Sequence, residues 1–246
     1  MKINKIRLDE LVIKKGFADS KSLAQSLIIS GKIYLKEQKL NKPGYFLLES
    51  TDISYRGAVH PWVSRGGIKL DYGLKIFDLI IKDKTAIDIG ASTGGFSHVL
   101  LDRGAKKIYS VDVGYGQLHE KLLSNKIIIS KERTNARYLS SEDISDKIDV
   151  LVCDVSFISL KKVLLAPIKL LSSSADLVCL IKPQFEVGKK NIFKGGIVKD
   201  KKIREDCCID IKIWFENIIG FKVLNLIESP IKGPKGNIEY LIHVKK

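Results

Sequence analysis

Between Thr85 and Gly104 the chain reads TAIDIGASTGGFSHVLLDRG, which combines a short apolar strand, a turn that needs glycine and the start of an amphipathic helix. Gly94 and Gly95 let the backbone turn tightly and let a ligand approach it without meeting a side chain. Such a strand–turn–helix unit points to a nucleotide-like cofactor. It is neither the phosphate loop GxxxxGK[ST] nor a true GxGxxG, so by itself it leaves the cofactor open.

From about Ser64 onward the apolar runs TAIDIG, KIYSVDV, KIIIS, IDVLVCD and ADLVCLIKP alternate with helical stretches, which predicts a doubly wound, mostly parallel sheet. A long helix is expected around Ile203 to Ile218, and FKVLNLIES and NIEYLIHVKK read as closing strands joined by the turn-rich PIKGPKG. The 246 residues leave room for a second, smaller domain in front. There, Ile6 to Lys15 suits a short helix ending at Gly16, and Asp19 and Ser20 are placed to cap a second helix, KSLAQSLIIS, that stops at Gly31. KIYL, a turn around Asn41 to Gly44, YFLL and DISY follow as turn and strand signals.

Charge and cysteine usage narrow the function classes. The formal net charge is +14, and residues 1–62 carry eleven basic against six acidic side chains. That surplus suits a polyanionic partner. The order of helix, capped basic helix, GKIYL turn and KPG resembles the S-four type RNA-binding domain. The resemblance implies that Arg7, Lys14, Lys15, Lys21 and Lys32 face RNA backbone. Arg65, in WVSRGG, reads equally as a packed arginine or an RNA contact. Cys153, Cys179, Cys207 and Cys208 show no CxxC spacing and read as buried thiols, and no HExxH pattern suggests a metal. No apolar run reaches membrane-helix length and the start lacks a signal-peptide core, so a cytoplasmic protein, monomeric and without a membrane partner, is expected.

Two acids bear on the cofactor. Asp112 ends the second strand, where a ribose is commonly held. Asp88 opens the glycine turn, and an acid there suits a cationic, phosphate-free ligand such as S-adenosylmethionine better than a dinucleotide's pyrophosphate. If the reaction is methyl transfer, the acceptor must be read elsewhere. An [ND]PP[YF] turn for adenine amino methylation is replaced by Cys153-Asp154-Val155-Ser156-Phe157, and no Pro-Cys or Thr-Cys nucleophile for cytosine carbon methylation is present. A hydroxyl acceptor needs a cation against developing alkoxide charge. Asp154 follows the fourth strand and Lys182 the fifth, so adjacent strand ends would bring them together. One unit charge at about 4 Å is worth roughly 4 kcal/mol at an effective dielectric of 20, hence up to about three pKa units on a hydroxyl.

VSRGGIKL, DIGASTGGFSHVLLDRG, VDVGYGQL, ERTNAR, DVSFISL, IKPQFEVGK, GGIV and GPKGNIEY, in this order, resemble the TlyA family of rRNA 2′-O-methyltransferases, long labelled haemolysins, within the FtsJ-like superfamily. The resemblance implies a Rossmann-like class I methyltransferase domain of the α/β class, a doubly wound sheet with a C-terminal antiparallel strand, behind a small α+β S-four domain. The expected division is 1–62, a linker at 63–68, and 69–246. It implies a catalytic tetrad of Lys69, Asp154, Lys182 and Glu239, with Lys182 the main cation on the 2′-oxygen, Lys69 and Glu239 orienting that hydroxyl, and Asp154 holding Lys182 and the cofactor's methyl end. Asp88, Gly90, Ala91, Ser92, Thr93, Gly94, Gly95, Phe96 and Asp112 would contact S-adenosylmethionine, and Asn135 and Ala136 would flank its adenine. The implied substrate is cytidine in ribosomal RNA or ribosomal subunits. The short form favours the large subunit and leaves the small one open. The turn departs from many FtsJ-like enzymes in reading AST where they place a proline before the paired glycines. The competing expectation is a non-enzymatic rRNA-binding or assembly factor. A membrane-lysing protein is disfavoured by the missing export signal, spanning helix and apolar amphipathic face.

Overall fold

The computed structural model describes residues 4–18, 20–56, 60–193 and 195–246. The chain forms two compact units, Met1–Val59 and His60–Lys246.

In the first unit β1 (Lys5–Arg7) leads directly into α1 (Leu8–Lys14), followed by α2 (Lys21–Ile29), β2 (Ile33–Leu35), β3 (Gln38–Leu40), β4 (Phe46–Leu48) and β5 (Ser54–Tyr55). β1 pairs antiparallel with β4, and β2 lies between β3 and β5. The hydroxyl of Ser20 accepts from the Leu23 amide at 3.3 Å and so caps α2, while Asp19, the other expected cap, lies outside the described residues. Both helices end where Gly16 and Gly31 take positive φ. Leu8, Leu11, Val12, Ala24, Ile28 and Ile33 are fully buried between helices and strands. β1 and β3 are too short and too polar to have stood out from periodicity.

Among the described residues of this small core, Asp9 is the one fully buried charge. Its carboxylate accepts from Arg7 Nε at 3.0 Å and Nη2 at 2.8 Å, and from Gln25 Nε2 at 3.0 Å. The Arg7 hydrogen bonds hold it well below the usual carboxylate range. Arg7 is thereby committed to α1.

The second unit opens with α3 (Gly66–Ile76) and continues β6 (Thr85–Ile89), α4 (Gly95–Asp102), β7 (Lys107–Val111), α5 (Glu120–Leu123), β8 (Ile128–Lys131), β9 (Ile148–Cys153), α6 (Leu160–Val163), β10 (Leu171–Ile181), α7 (Pro183–Glu186), α8 (Lys201–Ile213), β11 (Lys222–Glu228) and β12 (Tyr240–Lys245). One seven-stranded sheet runs β11-β12-β10-β9-β6-β7-β8. The five strands β10, β9, β6, β7 and β8 are parallel, and β12 is antiparallel to both β10 and β11. This is the Rossmann-like methyltransferase fold with its antiparallel C-terminal strand, as expected. Because β7 and β9 flank β6 on opposite sides, the winding reverses there, and the crevice for a ligand opens beyond the carboxyl ends of β6 and β9.

Strand alternation divides the core into two layers. Ile87, Ile89, Cys153, Cys179 and Ile181 face the layer that contains Cys207, Cys208 and Phe215, whereas Ala86, Val152 and Val178 face α3 and α4. All four thiols are free and buried, and burial raises those of Cys207 and Cys208 to about 12.

Two helices differ from expectation. α8 ends at Ile213 and widens into a π-helical turn, Trp214–Ile219, which closes at Gly220 with φ +79°. α3 carries no side-chain cap, and Gly66, Gly67 and Gly73 weaken its intrinsic helix propensity. Packing supports it instead: Gly67 lies against the Trp62 ring and Gly73 against Leu241, both too close for a larger side chain to enter freely.

Asp9→Ala leaves the Arg7 guanidinium without its partner over a buried surface. It should lower stability of the chain by about 1–3 kcal/mol, the range for removing one member of a part-buried, charge-assisted pair. Part of the same loss should appear in wild type on acidification, because a depressed folded pKa stabilises fully above the unfolded value near 4 and that contribution falls away progressively as pH drops from there toward the much lower folded value. Urea titrations at pH 7 and pH 3 measure both.

Candidate active site

The loop from Gly90 to Gly94 is shaped by backbone positions that favour glycine. Gly90 and Gly94 have φ of +82° and +92°, and Ser92 between them is also left-handed at +48°. A side chain at Gly90 would come within 2.9 Å of the Asp154 carbonyl oxygen, so the bare α-carbon lets the ends of β6 and β9 sit side by side. One at Gly95 would come within 2.9 Å of the Gly67 amide. Gly95 therefore serves the approach of α3 to α4, and the turn's conformational demand falls on Gly94.

Asp112 ends β7 and turns back into this loop. Its carboxylate accepts from the Ser92 amide at 2.8 Å and the Gly114 amide at 2.7 Å. Asn135 Oδ1 accepts from the Arg137 amide at 3.1 Å and starts the short 3-10 turn Ala136–Tyr138. Gly90, Ser92, Asp112, Asn135 and Ala136, with Val155, Phe157 and Ile158 from the loop after β9, line a cavity of about 430 Å³. A second cavity of about 250 Å³ adjoins it, sharing Gly90, Ser92, Asp154 and Ser156, and is lined further by Ala91, Thr93, Gly95, Phe96, Arg65, Lys69, Lys182 and Gly233.

Three charges from separate segments, Lys182, Asp154 and Lys69, line the second cavity, and a fourth stands behind one of them. Lys182, at the end of β10, lies 2.6 Å from Asp154 Oδ1 and donates to the Ser156 hydroxyl at 3.0 Å. Lys69, from α3, lies 4.0 Å from the other Asp154 oxygen and 2.7 Å from Glu239 Oε2. The result is an alternating row, Lys182–Asp154–Lys69–Glu239. Lys182 and Lys69 are 7% and 5% exposed, and Glu239 is fully buried. Such ammonium groups keep their charge out of bulk water only because each has a carboxylate beside it. Asp154, at the shared wall, borders both cavities.

The structure departs from the sequence expectation at three residues. Asp88 lines neither cavity: it is fully buried, with Oδ2 accepting from the Ser97 amide at 2.9 Å and the Ser97 hydroxyl at 2.7 Å, and Ser97 in turn contacts Ser110. Strand alternation explains this, since Asp88 shares the face of Ala86 and points under α4. Burial raises its carboxyl to about 7. Gly94 is likewise turned toward Leu118 and Leu122. Glu239 borders neither cavity and reaches them only through Lys69. Conversely, Ser156, the bond partner of Lys182, stood inside the DVSF motif without being singled out, and Gly233 gave no sequence signal beyond belonging to a turn.

The basic side chains of the first unit are largely paired on its surface. Lys14 contacts Glu49, Lys15 lies 3.9 Å from Asp52, and Lys21 lies 3.6 Å from Glu10. Lys32 is half-buried next to β2. Arg65 is exposed, donates to the Lys232 carbonyl and lines the second cavity.

Residues 62–246 match the model of the FtsJ-like methyltransferases, and residues 6–53 match that of the S4 domain. The chain belongs to the FtsJ-like methyltransferase family. It is 38% identical over 240 residues to the 16S/23S rRNA (cytidine-2′-O)-methyltransferase TlyA of Mycobacterium tuberculosis, covering 97% of this chain and 89% of that one. It is also 38% identical over 216 residues to the 23S rRNA (cytidine-2′-O)-methyltransferase TlyA of Campylobacter jejuni, covering 86% and 81%. A Streptococcus thermophilus protein whose solved structure carries a hemolysin label is 38% identical and superposes with a TM-score of 0.79, covering 99% of this chain and 89% of that one. Among the described residues no helix is long and apolar enough to cross a membrane.

FtsJ-like enzymes draw their methyl group from S-adenosylmethionine, and the residues here fit that ligand. The first cavity pairs an acidic strand end, Asp112, with apolar walls from Val155 and Ile158, and the side-chain-free Gly90 leaves room where it joins the second.

A raised folded pKa stabilises the protonated state. Asp88 should therefore contribute least destabilisation below about pH 4, with its burial penalty growing as pH rises to about 7 and constant above. Asp88→Asn keeps an acceptor for Ser97 and cannot ionise, so its melting temperature should gain on wild type from pH 4 to 7 and run parallel beyond. Melting curves across pH 4–8 check this.

Proposed function

We propose that the protein transfers a methyl group from S-adenosylmethionine to the 2′-oxygen of a cytidine in ribosomal RNA, with the large subunit as the first substrate to test and the small subunit as the second. The observation that carries the reading is the row Lys182–Asp154–Lys69–Glu239 beside a cavity that adjoins the cofactor cleft. The names of the mycobacterial and Campylobacter relatives support the choice of cytidine and of the 2′-oxygen, and the S4 match supports RNA as the partner.

In this reading Gly90, Ala91, Ser92, Thr93, Asp112, Asn135 and Ala136 hold S-adenosylmethionine, which supplies an electrophilic methyl on its sulfonium. Asp112, already fixed by two backbone amides, offers its outward lone pairs to the ribose hydroxyls. Asp154 pairs with Lys182 and aims it across the shared wall. A ribose hydroxyl placed in the second cavity accepts a hydrogen bond from the Lys182 ammonium, which stabilises oxyanion character as the O–CH3 bond forms, the S–CH3 bond breaks and the hydroxyl proton passes to solvent. Lys69 adds a second positive charge, and its own partner Glu239 keeps it from collapsing onto Asp154. Lys14, Lys15, Lys21, Lys32 and Arg65 contact RNA phosphates, whereas Arg7, expected from the sequence to do the same, is held on Asp9. The surface ion pairs of the three lysines Lys14, Lys15 and Lys21 are weak in water and exchange readily for phosphate. In this reading the protein meets ribosomal subunits in the cytoplasm, and a monomer is the favoured form.

Purified protein with labelled S-adenosylmethionine should methylate ribosomal subunits, and Lys182→Ala should lower the rate by at least about a hundredfold while cofactor affinity by calorimetry stays near wild type. Incorporation by Lys182→Ala at the wild-type rate rejects the assignment. Asp112→Ala should do the reverse at low cofactor: weaken S-adenosylmethionine binding at least about tenfold, the value of one lost charge-assisted hydrogen bond, with turnover recovering as cofactor is raised.

A further inference from the structure

Glu239 poses a problem that the tetrad reading leaves unsolved. It is fully buried, only its Oε2 reaches Lys69, and Oε1 has no hydrogen-bond partner among the described residues. What covers that free oxygen is Gly233, which itself lines the second cavity. A β-carbon at position 233 would fall well inside van der Waals contact distance of Glu239 Oε1, and its φ lies outside the left-handed region, so the demand for glycine is steric and is set by this one carboxylate.

The segment carrying Gly233 is tied down from several sides. The Gly233 amide donates to the Asn237 carbonyl at 2.8 Å, the Ser229 amide to the Glu239 carbonyl at 2.8 Å, and the Ser229 hydroxyl to the Ile231 carbonyl at 2.9 Å. Arg65 donates to the Lys232 carbonyl. The Asn237 side chain donates to the Gly196 carbonyl at 2.9 Å and accepts from the Val198 amide at 3.1 Å, joining this strap to the Phe193–Ile197 bridge. These bonds leave the strap little freedom to rise if a side chain were added beneath it.

We propose that Gly233 is a positioning residue for methyl transfer: its bare α-carbon lets the strap of residues 229–237 seat directly on the Glu239 carboxylate, which holds Glu239 against Lys69 and presents the Lys69 ammonium to the second cavity at the edge of Asp154. The inference rests on the proposed role of the charge row. In this arrangement Glu239 acts through Lys69 and does not meet the substrate. An added methyl at position 233 displaces the carboxylate, loosens the Lys69 pair and disorders the cation, while the cofactor cavity, which Gly233 does not line, keeps its shape.

The test is Gly233→Ala in the full chain, assayed with ribosomal subunits and labelled S-adenosylmethionine, alone and combined with Glu239→Asp, whose carboxylate is one methylene shorter. The expected result is a kcat at least about tenfold below wild type, cofactor affinity and KM for subunits within about twofold, and a double variant no slower than Glu239→Asp alone, as coupled sites require. A Gly233→Ala enzyme within twofold of wild type, a defect confined to KM, or losses that multiply in the double variant would overturn the proposal. If Gly233→Ala does not fold, melting of Gly233→Ala/Glu239→Ala decides: recovery to the melting temperature of Glu239→Ala supports the contact, and failure to recover rejects it. Lys182→Ala, run in parallel, separates the two readings, because full activity there rejects the charge row itself, whereas an inactive Lys182→Ala beside a fully active Gly233→Ala rejects only the role of Gly233.

Discussion

The contact between the end of β6 and the end of β9 governs the geometry of the catalytic unit. Gly90 packs so closely on the Asp154 carbonyl that no side chain fits between them, and Asp154 is thereby placed at the wall common to both cavities. From that position one carboxylate reaches Lys182 with one oxygen and faces Lys69 with the other. A shift of either strand end by an ångström would separate the cofactor cleft from the charges beside it.

Charge balance follows from the same arrangement. Two lysines and two carboxylates alternate, so each ammonium has an anionic neighbour and the buried group carries no net charge. The desolvation cost of Lys69 and Lys182 is offset locally, which leaves two fixed cations bordering a cavity where a neutral hydroxyl can enter. Asp88 shows the opposite case. It has no cation beside it, and its carboxyl is accordingly pushed up to about 7. Two acids on neighbouring parallel strands thus behave differently because one faces the crevice and the other the underside of α4.

Much of the fold was legible in the chain because buried parallel strands read as continuous apolar runs and α2 has a serine cap followed by a glycine stop. α3 was not, since three glycines and an uncapped start conceal a helix that packing against Trp62 and Leu241 maintains. The π-helical turn after α8 was also hidden, because its periodicity differs from that of an α-helix by too little to register over six residues. Within the site, Asp154 and Lys182 could be paired from their places at adjacent strand ends. Lys69 and Glu239 could be joined to them only through family resemblance, as 170 residues separate the two and nothing local in either segment signals the other.

The amino-acid sequence by itself determined the alternation of the buried strands and longer helices, the glycine-rich turn after β6, the contrast between a basic first segment and an α/β remainder, and the family, because each of these depends on local pattern or on similarity read along the chain. Tertiary structure alone decided which way each acid points, that Glu239 lies behind Lys69, and why position 233 holds a glycine. Those outcomes depend on contacts between distant segments, where a single carboxylate oxygen and the space left by an absent β-carbon set the arrangement.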